Sequence, residues 1–147
     1  MNEQDMTEKY SELNRRNPFI RHNHIEVVRV ERDRALLRLS LREESRNVYG
    51  LAHGGAIYAI ADNACGCAAS TDGRSYVTQS SSFHYLRNQS EGEILSEAHI
   101  RHRGQSTVLV DVDVTGEGGK LLATGSFSFF CVDGERVRQK GVRGAES

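Results

Sequence analysis

The stretch His-Gly-Gly-Ala-Ile-Tyr-Ala-Ile-Ala-Asp-Asn-Ala-Cys-Gly-Cys-Ala-Ala, from His53 to Ala69, restricts the fold more than any other part of the chain. Two glycines follow a histidine, and small or apolar residues then occupy nearly every side of a helical projection. A helix that is apolar all round is normally enclosed by the rest of its domain. This one is too short to span a bilayer, and Asp62 in its middle argues further against that. The expectation is a central helix wrapped by the remaining chain. A carboxylate there is costly unless it is paired, hydrogen-bonded or kept for chemistry.

The flanks supply the wrapping. Met6, Tyr10 and Leu13 fall three or four apart in a polar segment, which predicts a short amphipathic helix over residues 2–16, closed by Pro18. Ile25, Val27 and (out of phase) Val28 and Val30 read as a strand, and Leu37, Leu39 and Leu41 alternate with polar residues as a second. Arg42 to Ala52 is a polar loop. Thr71-Asp72-Gly73 stops the central helix. Four more strand-like runs follow: Tyr76–Arg87, with Val77, Gln79, Ser81, Phe83 and Tyr85 on one face; Ile94–Arg103; Thr107–Thr115, where four valines oppose Asp111 and Asp113; and Leu121–Val132. The breaks at Glu91-Gly92, Gly104-Gln105 and Gly116–Gly119 are short enough for hairpins. One buried helix among six antiparallel strands is an α+β layout. The domain reading is a helix over 1–17, the α+β domain over 18–134 and a mobile tail over 135–147.

At 147 residues there is room for one well-cored domain. Nineteen basic against twenty acidic residues give a net charge of −1, so no global field favours nucleic acid or a membrane surface. The first twenty residues carry no apolar targeting run, and three cysteines without framework spacing suit a reducing compartment, so a cytoplasmic location is expected.

His53-Gly54-Gly55 stands where loop becomes helix. The first N–H groups of a helix lack intrahelical partners, and its dipole adds partial positive charge. Glycine lets a ligand approach that backbone. Such a site suits a carbonyl oxygen that becomes negative during acyl transfer, although glycines that merely permit tight packing would look the same. Nine residues separate His53 from Asp62, which is ~180° of rotation and ~13.5 Å of rise on one helix. The two therefore point apart within a chain. Side-by-side antiparallel helices would bring each helix start to the other's Asp62, which predicts a site shared across a twofold dimer.

The combination Asn47-x-x-Gly50-x-x-His53-Gly54-Gly55, followed by Asp62, resembles the signature of hotdog-fold acyl-CoA thioesterases, nearest to the phenylacetate-degradation type. The resemblance extends from about Asn17 to Val132. It implies one long helix wrapped by a curved antiparallel sheet, a homodimer often paired into a homotetramer, and hydrolysis of an aryl or short- to medium-chain acyl thioester of coenzyme A. It requires no cofactor, since coenzyme A belongs to the substrate. By the same resemblance Asp62 acts as general base on water or as nucleophile. The Gly55 N–H holds the thioester oxygen, His53 orients the substrate, and Asn47 positions the carbonyl or the water. Thr78 helps hold the water, although any hydroxyl of the run Thr78-Gln79-Ser80-Ser81-Ser82 could serve.

Arg87-Asn88 and Arg103-Gly104-Gln105-Ser106 could present cationic or backbone donors to the phosphates of coenzyme A, with Gly54 lining the same binding surface; ordinary solvated turns are the alternative. The histidines lack paired metal-ligand spacing, and Cys65 and Cys67 lie about 200° apart on the helix, so no metal is expected. Nucleophile elbows and phosphate loops are also missing. Two rival functions are a non-catalytic acyl-CoA-binding or regulatory domain, which fits the retained carboxylate poorly, and an acyl-thioester hydratase, whose Asp and His would stand together early on the helix.

Overall fold

The computed structural model describes residues 1–133. The expected tail over 135–147, and the last residue of the expected domain, lie outside the described residues. Helix α1 (Glu3–Arg15) is followed by a short α2 (Pro18–His22), then β1 (Ile25–Glu31) and β2 (Arg34–Ser40). The central helix α3 spans Gly54–Ser70, and β3 (Tyr76–Tyr85), β4 (Glu93–Arg103), β5 (Thr107–Thr115) and β6 (Leu121–Cys131) complete the chain. The six strands form one antiparallel sheet in the order β1-β2-β4-β5-β6-β3. This is the hotdog arrangement: a long helix held in the curve of a sheet.

The core follows from the strand periodicities. Val108, Val110, Val112 and Val114 of β5 point at α3 together with Leu37, Leu39, Ile94, Ala98 and Phe127, while Asp111 and Asp113 face outward. Burial of these apolar faces is the main stabilising contribution, at roughly 25 cal/mol per Å² removed from water. The helix itself buries its alanines, Ile57, Ile60, Cys65 and Cys67. It is not enclosed on every side, however: Gly55 is exposed, and Tyr58, Asp62, Asn63 and Gly66 are only half-buried. The all-apolar sequence hides a polar stripe because alanine and glycine contribute so little to either side.

Three expectations are corrected. Pro18 does close α1, but it also opens α2 from its first position, where a missing N–H costs nothing. The break at Glu91-Gly92 is not a hairpin, because β3 pairs with β6 and the chain crosses over to reach β4. In α1, Leu13 is 45% exposed; the seated face is Thr7, Tyr10 and Asn14, with Met6 beside them. That face docks through hydrogen bonds. Thr7 Oγ1 bonds both the N–H and the C=O of Val30 on β1 (3.0 and 3.3 Å), Tyr10 meets Ser70 at 2.8 Å, and Asn14 donates to Asn63 at 2.8 Å.

Bulges settle the phase of β1 and β3. One at Val28 explains why Val27 and Val30 cannot share a regular alternation. Another at Gln79, where the register shifts between Thr78 and Ser80, divides β3. Tyr76 and Thr78 face α3 before it, and Ser81, Phe83 and Tyr85 face α3 after it. Val77 and Gln79 therefore do not share the face of Ser81, as simple alternation would have it.

Candidate active site

The start of α3 is capped by its own histidine. His53 has extended backbone, and its Nδ1 accepts the Gly55 N–H at 2.8 Å. A side chain at Gly55 would place its Cβ 3.1 Å from that nitrogen, so glycine is what lets the ring fold back. Accepting at Nδ1 puts the ring proton of the neutral imidazole on Nε2. The Gly55 N–H expected to hold an oxygen is thus occupied by His53, and an incoming oxygen has to displace the ring or bond to Nε2–H. The Gly54 C=O accepts a hydrogen bond from the Tyr85 hydroxyl at 2.8 Å, which fixes the first turn against β3.

Two turns further along, Thr78 Oγ1 donates to Asp62 Oδ1 at 2.6 Å. Of the hydroxyl run, Thr78 is the one that reaches the carboxylate; Ser81 bonds Tyr58 at 2.6 Å, and Ser82 lies 3.5 Å from His84 Nε2 on the other face. Burial raises the Asp62 carboxyl above its ordinary value, and the Thr78 hydrogen bond opposes this only in part. A carboxylate raised in this way holds a proton more readily than a solvated one, which suits a group that takes up a proton and returns it. Tyr58, one turn before Asp62, packs edge-to-face on Phe83 and at a tilt on Phe127. The contact of Tyr85 with Gly54 had no sequence signal. The four-residue spacing of Tyr58 and Asp62 was a readable one.

The remaining expected site residues divide sharply. Asn47 accepts the N–H groups of Tyr49 and Leu51 at Oδ1 (2.9 and 3.1 Å), which shapes the loop before α3 and leaves its amide NH2 to donate. Val48 and Tyr49 project from that loop into solvent. Arg87 is exposed at the end of β3, with no ion-pair partner among the described residues. Asn88 instead donates to the Ala52 C=O at 2.9 Å, so it holds the approach to His53.

Arg103 is committed elsewhere. Its guanidinium pairs with Asp33 (2.7 Å) and Asp72 (2.8 Å) and donates to the carbonyls of Ala69 and Ala68 at the end of α3. A cation spent on two carboxylates and a helix terminus has little left for a phosphate, so the structure gives Arg103 the work of a clamp. Gly104 closes the β4–β5 turn through its N–H to Thr107, and its C=O accepts from Arg74. Ser106 is exposed in the same turn, and its C=O takes the Cys131 N–H. This turn lies at the far end of α3 from His53. Cys67 is buried and its thiol is pushed up to about 12, which makes it an inert packing group.

A family model described as the thioesterase superfamily matches residues 49–123. The 1,4-dihydroxy-2-naphthoyl-CoA hydrolase of Listeria monocytogenes is 30% identical over 101 residues, covering 67% of this chain and 82% of that protein. The acyl-coenzyme A thioesterase PaaI of Escherichia coli is 24% identical over 100 residues, covering 67% of this chain and 71% of that protein. Among solved structures, a Streptococcus mutans protein bound to acetyl CoA superposes with a TM-score of 0.70 at 30% identity, over 73% of this chain and 87% of that one.

Proposed function

This chain belongs to the thioesterase superfamily, and from that premise we propose that it hydrolyses acyl-CoA thioesters, aryl or short- to medium-chain, with Asp62 as the reacting carboxylate. The observation that carries this reading is the half-buried Asp62, raised by burial and held at 2.6 Å by Thr78. Relatives named for the hydrolysis of acyl-CoA and naphthoyl-CoA esters support it.

In this reading Asp62, ionised, takes a proton from water as the water oxygen bonds to the thioester carbon. Alternatively, its own oxygen attacks first and water then cleaves the anhydride. The Thr78 hydroxyl fixes one carboxylate oxygen and leaves the other to face the water. Charge on the carbonyl oxygen is received at a helix start, by the Gly55 N–H once His53 swings aside or by His53 Nε2–H. On the water route the C–S bond then breaks and the thiolate leaves with the proton held by Asp62; on the anhydride route the C–S bond breaks as the anhydride forms, the thiolate leaves, and the water that cleaves the anhydride gives its proton to the carboxylate released. The Asn47 NH2 points the carbonyl or the water, and Arg87 offers its cation to the phosphates of coenzyme A.

A single chain does not bring these parts together, because Asp62 stands eight residues, ~12 Å, along the helix from Gly54. Two copies packed with α3 antiparallel do. The β3 edge and the half-buried stripe on α3 are the surfaces such a homodimer would join, and pairing of dimers would give the homotetramer. Three free thiols fit a reducing, cytoplasmic setting.

The test is thiol release from a panel of acyl-CoA esters by wild type and Asp62→Asn, with fold and size checked. The expected result is a fall of about a thousandfold in kcat for a folded mutant. Binding without turnover by wild type would replace the enzyme with an acyl-CoA-binding domain.

A further inference from the structure

The peptide groups around His53 are held in different ways. Ala52–His53 has fixed partners at both ends: the Asn88 side-chain amide donates to its C=O at 2.9 Å, and its N–H donates to the Ser45 C=O at 2.8 Å. Gly54–Gly55 has a fixed side-chain partner at its oxygen, where the Tyr85 hydroxyl donates at 2.8 Å. Its N–H rests on His53 Nδ1, a ring that can turn away. The C=O that Tyr85 holds and the N–H offered to an incoming oxygen thus belong to one amide. A hydrogen bond accepted at the carbonyl draws electrons toward its oxygen and makes the N–H of the same amide a stronger donor.

The surroundings keep that hydroxyl aimed. The Tyr85 ring stands edge-to-face on Phe83, with centroids 5.1 Å apart, and Phe83 is itself packed on Tyr58 and Phe127. The ring also passes 3.6 Å from where a Cβ at Gly54 would lie, so it covers the first turn of α3 at contact distance. Burial raises the Tyr85 phenol above its ordinary value, and the hydroxyl keeps its proton through neutral pH. Tyr85 is still 52% exposed, so exchanging it for phenylalanine removes the hydrogen bond without opening the core.

We infer that Tyr85 is a positioning residue: its hydroxyl fixes and polarises the Gly54–Gly55 peptide and so sets how strongly the helix start receives the thioester oxygen. The inference rests on the thioesterase reading above. Where His53 swings aside, the sharpened Gly55 N–H meets the oxygen directly. Where the ring stays, the same N–H donates into Nδ1 and makes Nε2–H the stronger donor, so both routes pass through Tyr85. The carbonyl oxygen is most negative in the transition state, and the contribution therefore falls on kcat rather than KM.

The experiment places phenylalanine, tyrosine and 3-fluorotyrosine at position 85, a series in which the hydroxyl is absent, ordinary and more acidic. Hydrolysis of hexanoyl-CoA near neutral pH gives kcat and KM, with melting temperature and oligomer size measured alongside. Tyr85→Phe should lower kcat by about three- to tenfold, the fluorinated protein should exceed wild type, and KM should stay within about twofold. A ring that only packs would not rank kcat by the acidity of its hydroxyl. Any other order of kcat, or a change confined to KM, overturns the inference and leaves the thioesterase reading standing. Should wild type hydrolyse none of acetyl-, hexanoyl- and decanoyl-CoA, the thioesterase reading fails separately, and the peptide is read by NMR. Glycine isotope-labelled at its carbonyl carbon and its nitrogen gives coupled signals only from Gly54–Gly55 and Gly118–Gly119, the Gly-Gly steps of the chain. The Gly55 amide proton should move downfield with fluorotyrosine and upfield with phenylalanine while Gly119 stays in place. Any other pattern overturns the inference.

Discussion

The two ends of α3 are built on opposite plans. At its finish, Arg103 covers the carbonyls of Ala68 and Ala69 and pairs with Asp33 and Asp72, and Thr71 Oγ1 donates to Ala68 while accepting the Asp33 N–H. Asp72, which burial alone would raise, is held at about 2 by hydrogen bonds from Tyr76 and Arg74 and by the Arg103 charge. At its start there is one imidazole over one N–H, two glycines and an exposed surface. Both ends have the unpaired backbone groups of any helix. The finish satisfies its groups within the chain, and the start leaves them where a ligand can compete. Stability concentrated at one terminus lets the other stay underfilled without loosening the helix.

The largest test of this contrast is Arg103→Met. It removes the cation shared by Asp33 and Asp72, which keep only Arg32 and Arg74, and uncaps two carbonyls, so chemical denaturation should show a loss of about 2–3 kcal/mol. Protein still folded in the cold should keep its kcat within a few fold. A large fall in kcat with little loss of stability would mean the two ends are not separable.

His53→Ala probes the open end and should cost only about 1 kcal/mol, as for an ordinary N-cap. His53→Asn, which can still cap, should restore most of that stability; the same denaturation series reads both.

Asp62→Asn should be stabilising by roughly 1 kcal/mol or less near neutral pH, since it removes a charge that burial disfavours. The sign follows from the raised carboxyl. Its penalty is full above the folded-state value and vanishes below the unfolded one, so the mutant's advantage should fade as the pH falls through that window. Asp72 behaves in the reverse sense, adding stability that is lost as pH falls toward about 2.

The smallest effect is a displacement of a curve. The acid limb of kcat/KM should lie above the usual aspartate range, and Thr78→Val, which removes the bond that favours the ionised form, should move it higher still.

Much of this was legible in the residues. The run of mostly small or apolar residues from Ala56 to Ala69 and the valines of β5 leave little choice but a helix in a curved sheet, and Asp62 is conspicuous within that run. What periodicity could not show was seating by hydrogen bonds. Thr7 and Asn14 hold α1 down while Leu13 stands out, because an amide pair at 2.8 Å anchors a helix without any apolar signal. The bulge at Gln79 was equally silent, for one extra residue leaves the composition of β3 unchanged while deciding which hydroxyl reaches Asp62. Arg103 looked like a turn cation because both its carboxylate partners lie about thirty or more positions away in sequence.

Thr7 has one more consequence, at the scale of assemblies. By taking both backbone groups of Val30, it occupies part of the outer rim of β1, one of the two places where a foreign strand could join this sheet. Among the described residues the rim of β3 carries no such cover. Sheets with two available rims can add neighbours without limit, as fibres do. With α1 lying along one rim, this sheet can extend in a single direction, so joining β3 to β3 uses up the remaining rim of both partners and growth stops at a pair.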